Sequence, residues 1–388
     1  MNPKIMICAG EVSGDRHGSL LATALKSKFP SIRLIGMGSS QMREAGVDVV
    51  CDISRYSTVG ILEHLRFLPK ILMARAEMIK LIKKENPDLL IAIDCQGFNM
   101  SLLKSAKKLG IKTCYYIAPQ EWHWGTNTGG IKVLRVVDLL LSIFKREDIF
   151  YKNLNGNVHF VGHPVLDLVE NLESKNDYYN KLNISKTQKI VAVFPGSRDQ
   201  ELTYTSDVLL KAAKEIEDRY RDVQIVVSCV NSNYLERIKT KLKKVGLKKA
   251  IIDEGNSRHL INNATFSLTI SGTITLEHAA LETPCIVAYK FNPATYFLAK
   301  TVFKKQLSRI PFFSMPNIIK NKKIVPEFLQ SDASIDNLVR EARRFLEDRS
   351  YYLKIKEELS KIKQELGDIG VSERASNYIK NYLEKRKK

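Results

Sequence analysis

The sequence predicts an α/β protein of two doubly wound, parallel-sheet domains. Three observations carry this. Short apolar runs alternate with longer amphipathic stretches along most of the chain, as expected for parallel strands covered on both faces by helices. The alternation halts in a polar segment, residues 170–189, and then restarts. With 388 residues and 44% apolar content, the chain is long enough for two domains and can fill a core in each.

In the first series, strands are expected at KIMICA (4–9), IRLIG (32–36), LLIAID (89–94), KTCYYIA (112–118) and DLLLSIF (138–144). The stretch holding His159 and His163 also reads as strand. After VGHP (161–164) the polar linker follows. The second series runs IVAVF (190–194), QIVVSCV (224–230), KAIID (249–253), FSLTI (266–270) and PCIVAY (284–289). The last fifty residues read as helices, for example 337–366. The expected domains are therefore 1–168 and 187–330, facing each other, with C-terminal helices in 331–388 packing across both. No repeat of 20–50 residues and no low-complexity tract interrupts this plan.

Composition narrows the partners. The formal charge is +19, which favours anionic partners: nucleic acid, phosphorylated substrates or an anionic membrane surface. Lysine-rich pieces at 241–249 and 384–388 read as solvated helix faces and a tail. No run of 18 apolar residues occurs, so no spanning helix is expected. The start, MNPKIMICAGE, lacks the layout of a signal peptide. Six cysteines are scattered singly with no C-x-x-C, as expected of buried, reduced thiols in a cytosolic protein.

In open α/β sheets, ligands bind outside the carboxyl ends of the strands, so the residues just after each strand carry the chemistry. After the first comes AGEVSGDRHG (9–18), with glycines at 10, 14 and 18. This is not G-x-G-x-x-G, and a dinucleotide fingerprint is absent. The loop sets Glu11, Ser13 and Asp15 at the crevice; the competing reading is a glycine-allowed turn with a Ser or Asp helix cap. Asp94 ends an apolar strand, where a carboxylate is costly unless paired or facing a cleft; it otherwise caps the next helix. PQEWHWG (119–125) holds Trp122 and Trp124, a sugar platform or ordinary packing. In FPGSRDQE (194–201), Gly196 makes a tight turn, and Ser197 and the following amides open a helix beside Arg198, a phosphate-binding arrangement. Ser271, Gly272 and Thr273 offer a second set of amides and hydroxyls. Glu277 lies four residues after Thr273, on one helix face with it rather than in a capping box. There it can accept hydrogen bonds from two ribose hydroxyls. Together the two turns suit a nucleoside diphosphate; the competing reading is two ordinary capped helices.

Taken in order, AGEVSGD, ID…FN (93–99), YIAPQEWHW, VGHP, FPGSRDQE, SGTITLE and SMPNI (314–318) resemble the lipid-A-disaccharide synthase family, over nearly the whole chain. These are bacterial glycosyltransferases with two Rossmann-like domains, the GT-B arrangement. The resemblance implies transfer of 2,3-diacylglucosamine from its UDP derivative to 2,3-diacylglucosamine 1-phosphate. The product is a β-1,6 disaccharide, UDP leaves, and the donor's anomeric carbon inverts. It implies that Asp94 is the general base, with Glu11 and Ser13 matching polar residues of the same crevice. Gly196, Ser197, Arg198, Ser271, Gly272, Thr273 and Glu277 then hold UDP, with Asn317 nearby, and Asn99, Trp122 and Trp124 lie on the acceptor and lipid side. Two departures bear on acceptor recognition: Gly97 stands where the family usually has a second acid, and His123 separates the tryptophans in place of a small residue.

Inversion needs one in-line displacement and no enzyme nucleophile. The chain has no D-x-D triplet, so neither a metal nor any other cofactor is expected, and Arg198 and helix N-termini are left to stabilise the leaving diphosphate. His159 and His163 are four apart, but Pro164 and the strand pattern speak against zinc. Two basic, apolar stretches, 57–80 and 295–313, suit an anionic membrane surface or, equally, core helices with solvated lysines. The expectation is a cytoplasmic enzyme peripherally bound to the inner membrane, without nucleic acid, a homodimer being left open. Two rivals remain. One is another UDP-sugar enzyme on this architecture, a muramyl-type transferase or an epimerase, which would share the UDP half but not AGEVSGD or YIAPQEWHW. The other is a non-catalytic nucleic-acid or membrane binder, which predicts a basic stripe and no UDP affinity.

Overall fold

The computed structural model describes residues 2–53, 61–123, 125–170, 172–255, 257–293, 296 and 311–385, and for 61–67 the backbone alone. The chain divides into two compact units, residues 1–167 with 366–388, and residues 168–365. The C-terminal helices are thus shared: Ile335–Glu347 and nearly all of Arg349–Leu366 belong to the second unit, while Val371–Glu384 returns to the first. Asp167 holds that return in place. Its carboxylate accepts from the amides of Gly370, Val371 and Ser372 at 2.8–2.9 Å, the donors that a helix N-terminus leaves unsatisfied.

In the first unit, β1 (Lys4–Ala9), β2 (Arg33–Met37), β3 (Asp48–Cys51), β4 (Leu89–Ile93), β5 (Lys112–Tyr116), β6 (Leu139–Ser142) and β7 (Val158–Phe160) form one sheet. Its order is β3-β2-β1-β4-β5-β6-β7, every pair parallel. The second unit repeats the plan. Its strands are β8 (Lys189–Phe194), β9 (Val223–Ser228), β10 (Ile251–Asp253), β11 (Phe266–Thr269), β12 (Cys285–Tyr289) and β13 (Glu327–Leu329), in the order β10-β9-β8-β11-β12-β13, again all parallel. The fold class is the expected one. Central strands are buried along their length, as in β4 and β12, because helices cover both faces.

Two strands were not foreseen, β3 and β13. Both lie at a sheet edge and are short, four and three residues. β3 exposes Asp48 and Val50, so no continuous apolar run marks it. The order reverses between β1 and β4 in the first sheet and between β8 and β11 in the second. At such a switch point the loops after neighbouring strands part and leave a crevice.

Candidate active site

The first crevice opens after β1 and β4, where Ala9 pairs with Ile93. Asp94 follows at once, with φ 50°, and Cys95 with φ 47°. Left-handed backbone is tolerable for Asp but uncommon for any non-glycine residue, and the surroundings fix it. The Asp94 amide donates to the Tyr116 carbonyl at 3.3 Å. Its carbonyl accepts from the Tyr115 hydroxyl at 2.9 Å and from Asn99 Nδ2 at 2.8 Å. The carboxyl group takes one amide, that of Cys95. Burial and then the charge of Glu11 push it up to about 6. Cys95, not Asp94, occupies the N-cap position of the helix Gln96–Lys108, with no side-chain cap.

Glu11 is the N-cap residue of the helix Val12–Lys28, and its side chain makes no capping bond. Ser13 is half-buried in the first turn of that helix. Asp15 has a different task. It is buried, and its carboxylate accepts from the amides of Ser39 (2.5 Å), Gln41 (3.1 Å) and Met42 (3.3 Å). It thereby caps the short helix Ser40–Glu44 from a distance and is spent as a base. Gly10 is required by the close approach of Cys95, whose Sγ would lie 2.7 Å from an added Cβ. Asn99 is fully buried beneath the crevice and also donates to the Ile93 carbonyl at 3.0 Å, so it shapes the Asp94 turn rather than reaching outward.

Beyond β5, Ile117 adopts φ 60°, an outlier for a β-branched residue. Trp122 is half-buried against Phe144, ring centres 5.6 Å apart, and Phe144 continues to His163 at 5.2 Å. The buried indole Nε1 of Trp122 has no hydrogen-bond partner among the described residues. Trp124 lies outside the described residues. Glu121 braces its own loop, accepting from Gln96 Nε2 at 3.1 Å and from the Thr126 amide at 3.3 Å. Gly97 is exposed and open around its Cα. His159 stacks on Tyr378 at 4.3 Å, whereas His163 is buried with Nδ1 accepting from the Val165 amide.

The second crevice opens after β8 and β11, where Phe194 pairs with Thr269. Gly196 takes φ 128°, a conformation open to glycine. Contrary to the expectation from sequence, the amides of Ser197 and Arg198 are not free. Both donate to Glu201, at 2.7 and 3.1 Å, and Arg198 Nη1 donates to its other oxygen at 3.1 Å. In the neighbouring turn, Gly272 and Thr273 are exposed and Gly272 has φ 149°. Ser271 Oγ donates to the Phe313 carbonyl at 2.8 Å. Glu277 is buried to 6% exposure and accepts from Ser257 Oγ at 3.4 Å. Asn317 does not stand among these groups as an open ligand. It is fully buried, its Oδ1 accepts from the amides of Ile324 (2.7 Å) and Val325 (2.9 Å), and its Nδ2 donates to the Val325 carbonyl. Its hydrogen-bonding capacity is used in bracing a loop.

Sequence reasoning missed three groups. Glu201 is one. Glu147 repeats its geometry in the first unit: fully buried, it accepts from the amides of Ile143 (2.8 Å) and Phe144, and burial pushes it up to about 8. Glu327 is the third. It fastens the 313–314 turn by accepting from the amides of Phe313 and Ser314 at 3.2 and 2.9 Å. Glu201 and Glu147 lie three and four residues from the amides they take, but Arg198 and Phe144 stand where a Ser or Thr cap would signal the turn. Glu327 lies 13 and 14 residues from its partners and carries no local signal. Among the described residues no cluster of His, Cys, Asp and Glu is arranged to hold a metal ion.

The lipid-A-disaccharide synthetase family profile matches residues 5–380. The chain belongs to this family. Its curated relatives include the lipid-A-disaccharide synthases of Sulfurihydrogenibium sp. (strain YO3AOP1), 36% identical over 98% of this chain and 99% of theirs, and of Geobacter sulfurreducens, 34% identical over 99% and 98%. Membership makes it a hexosyltransferase of lipid A disaccharide synthesis. Solved structures of similar fold include a co-structure of S. aureus MnaA with UDP (TM-score 0.67, 16% identity, 99% and 97% of the two chains) and the calicheamicin glycosyltransferase CalG4 (0.63, 10%, 99% and 99%). At such identities they speak for the fold alone.

Proposed function

We propose that this enzyme transfers 2,3-diacylglucosamine from its UDP derivative to the 6-hydroxyl of 2,3-diacylglucosamine 1-phosphate, with the acceptor on the first unit and UDP on the second. Asp94 is the observation that carries the acceptor half. It sits at a switch point and is fixed by three backbone contacts, and burial pushes its carboxyl up to about 6, close to the working pH of a general base. It takes the proton of the acceptor hydroxyl as that oxygen bonds to the anomeric carbon from the face opposite the diphosphate. The carbon–oxygen bond to the diphosphate breaks, and UDP departs with the electron pair. Glu11 tunes Asp94, and Trp122 lines the acceptor side. On the second unit Arg198 meets the diphosphate, Ser271, Gly272 and Thr273 supply further donors, and Glu277 accepts from the ribose. A protein of this fold, S. aureus MnaA, has been solved with UDP, in keeping with a UDP-sugar donor.

The lipid substrates imply work at a membrane surface, on the cytoplasmic side where UDP-sugars are used. No described helix is long and apolar enough to cross a membrane. The helix Ile61–Glu85 exposes Leu68, Leu72 and Met73 beside Lys70, and the net charge is +19; both support peripheral, partly electrostatic binding. In the 57–80 stretch, 57–60 and the side chains of 61–67 fall outside what is described, as does most of 295–313, while Ala74 and Met78 are buried in the core and Arg75 donates to Ser101 Oγ at 3.1 Å. One experiment tests both claims. The enzyme is incubated with anionic vesicles carrying the two lipid substrates, at low salt and at 1 M salt, where the Debye length is about 3 Å. Mass spectrometry is expected to find the disaccharide 1-phosphate with equimolar UDP, and sedimentation to find less bound enzyme at high salt. No disaccharide would sink the substrate assignment; equal binding to neutral and anionic vesicles at every salt would sink the electrostatic one.

A further inference from the structure

The turn after β8 is closed by a side chain that the transfer mechanism leaves unused. Glu201 is 2% exposed. One oxygen accepts from the amides of Ser197 and Arg198 and, at 3.4 Å, from Ser197 Oγ; the other accepts from Arg198 Nη1. A buried carboxylate is costly without partners, and here four donors compensate it. Two consequences follow. The two amides cannot receive a phosphate unless a buried carboxylate is first displaced. The guanidinium is tethered through Nη1 while its side chain stays 41% exposed, and it makes no other hydrogen bond among the described residues. A tethered guanidinium with its remaining donors open is preorganised for an anion, because less rotamer freedom is lost on binding. The turn fits this tether closely: a Cβ on Gly196 would lie 2.5 Å from Glu201 Cβ.

We propose that Glu201 is a positioning residue for the donor: it holds Arg198 toward the diphosphate and, by filling the Ser197 and Arg198 amides, leaves recognition of that group to the guanidinium. The inference rests on the reading that UDP binds after β8 and β11. Calorimetry on the full chain with UDP and with uridine separates the two. Arg198→Gln is expected to weaken UDP about 10- to 100-fold, the worth of charge-assisted hydrogen bonds, and to leave uridine unchanged. Glu201→Gln keeps an acceptor for the amides but turns an amide N–H toward Arg198; it is expected to weaken UDP about tenfold, spare uridine, and add nothing in the double variant. Glu201→Asp keeps the charge and shortens the reach, and the same selective loss is expected, which guards against a variant that does not fold. UDP binding at wild-type strength in both Glu201 variants overturns the inference. Tighter binding also overturns it, by making Glu201 a competitor of the diphosphate, and equal loss of UDP and uridine overturns it by making Glu201 structural. Wild-type UDP affinity in Arg198→Gln removes the donor-site reading itself.

Discussion

Asp94 combines a position that opposes its charge with a proposed task that needs it. Burial disfavours the carboxylate, and the charge of Glu11 adds to this. With the group near 6 rather than in the ordinary carboxylate range, it is largely ionised at pH 7 yet basic enough to accept a proton. Below about 6 it becomes protonated and the base is lost. The pH profile of kcat/KM is therefore expected to show an acid limb near 6. Removing the neighbouring charge with Glu11→Gln should move that limb down, and a limb that stays in place would show that Glu11 does not tune the base. The place of Asp94, just after a buried strand at the switch point, was legible in the sequence because a charge at the end of an apolar run stands out. Asp15 and Asn317 were not. Their partners, Ser39–Met42 and Ile324–Val325, lie in other segments, and nothing at the residue itself distinguishes a side chain that braces backbone from one that meets a ligand.

At the scale of elements, the two units use one device to open a helix after a strand. Glu147 and Glu201 each sit three residues after an N-cap position and reach back to the N-cap amide and the amide before it. The N-cap residues are Phe144 and Arg198, so the Ser/Thr-x-x-Glu signature does not flag either turn. The two glutamates differ in company. Glu201 has Arg198, whereas Glu147 is pushed up to about 8 by burial, with Asp148 and Asp94 adding to the push. A folded-state value above the unfolded one contributes stability in acid that is lost as pH rises through about 8. Glu147→Gln, which stays neutral, is expected to gain in unfolding free energy relative to wild type between pH 5 and pH 9, on the order of 1–4 kcal/mol across that window, as read by denaturant unfolding. A difference that does not vary with pH would contradict the burial argument. The interior strands announced themselves as apolar runs, while β3 and β13, short and at sheet edges, carry too little apolar sequence to do so.

At the scale of the whole molecule, the same strand order appears twice, and each unit has its crevice where that order reverses. The two-series organisation was legible because a doubly wound unit writes its strands into the sequence one after another. The sharing of the C-terminal helices between units was not, since it depends on contacts such as Asp167 with residues 370–372. The central claim divides the labour: the base belongs to the first unit and the nucleotide to the second. Its most direct test is the single-turnover rate of Asp94→Asn with both substrates saturating, beside UDP calorimetry on the same protein. Asn nearly keeps the shape and cannot take the proton, so UDP is expected to bind as in wild type while the rate falls about 10²–10⁴-fold. A near-wild-type rate with the fold intact would contradict the account and reduce Asp94 to a turn residue.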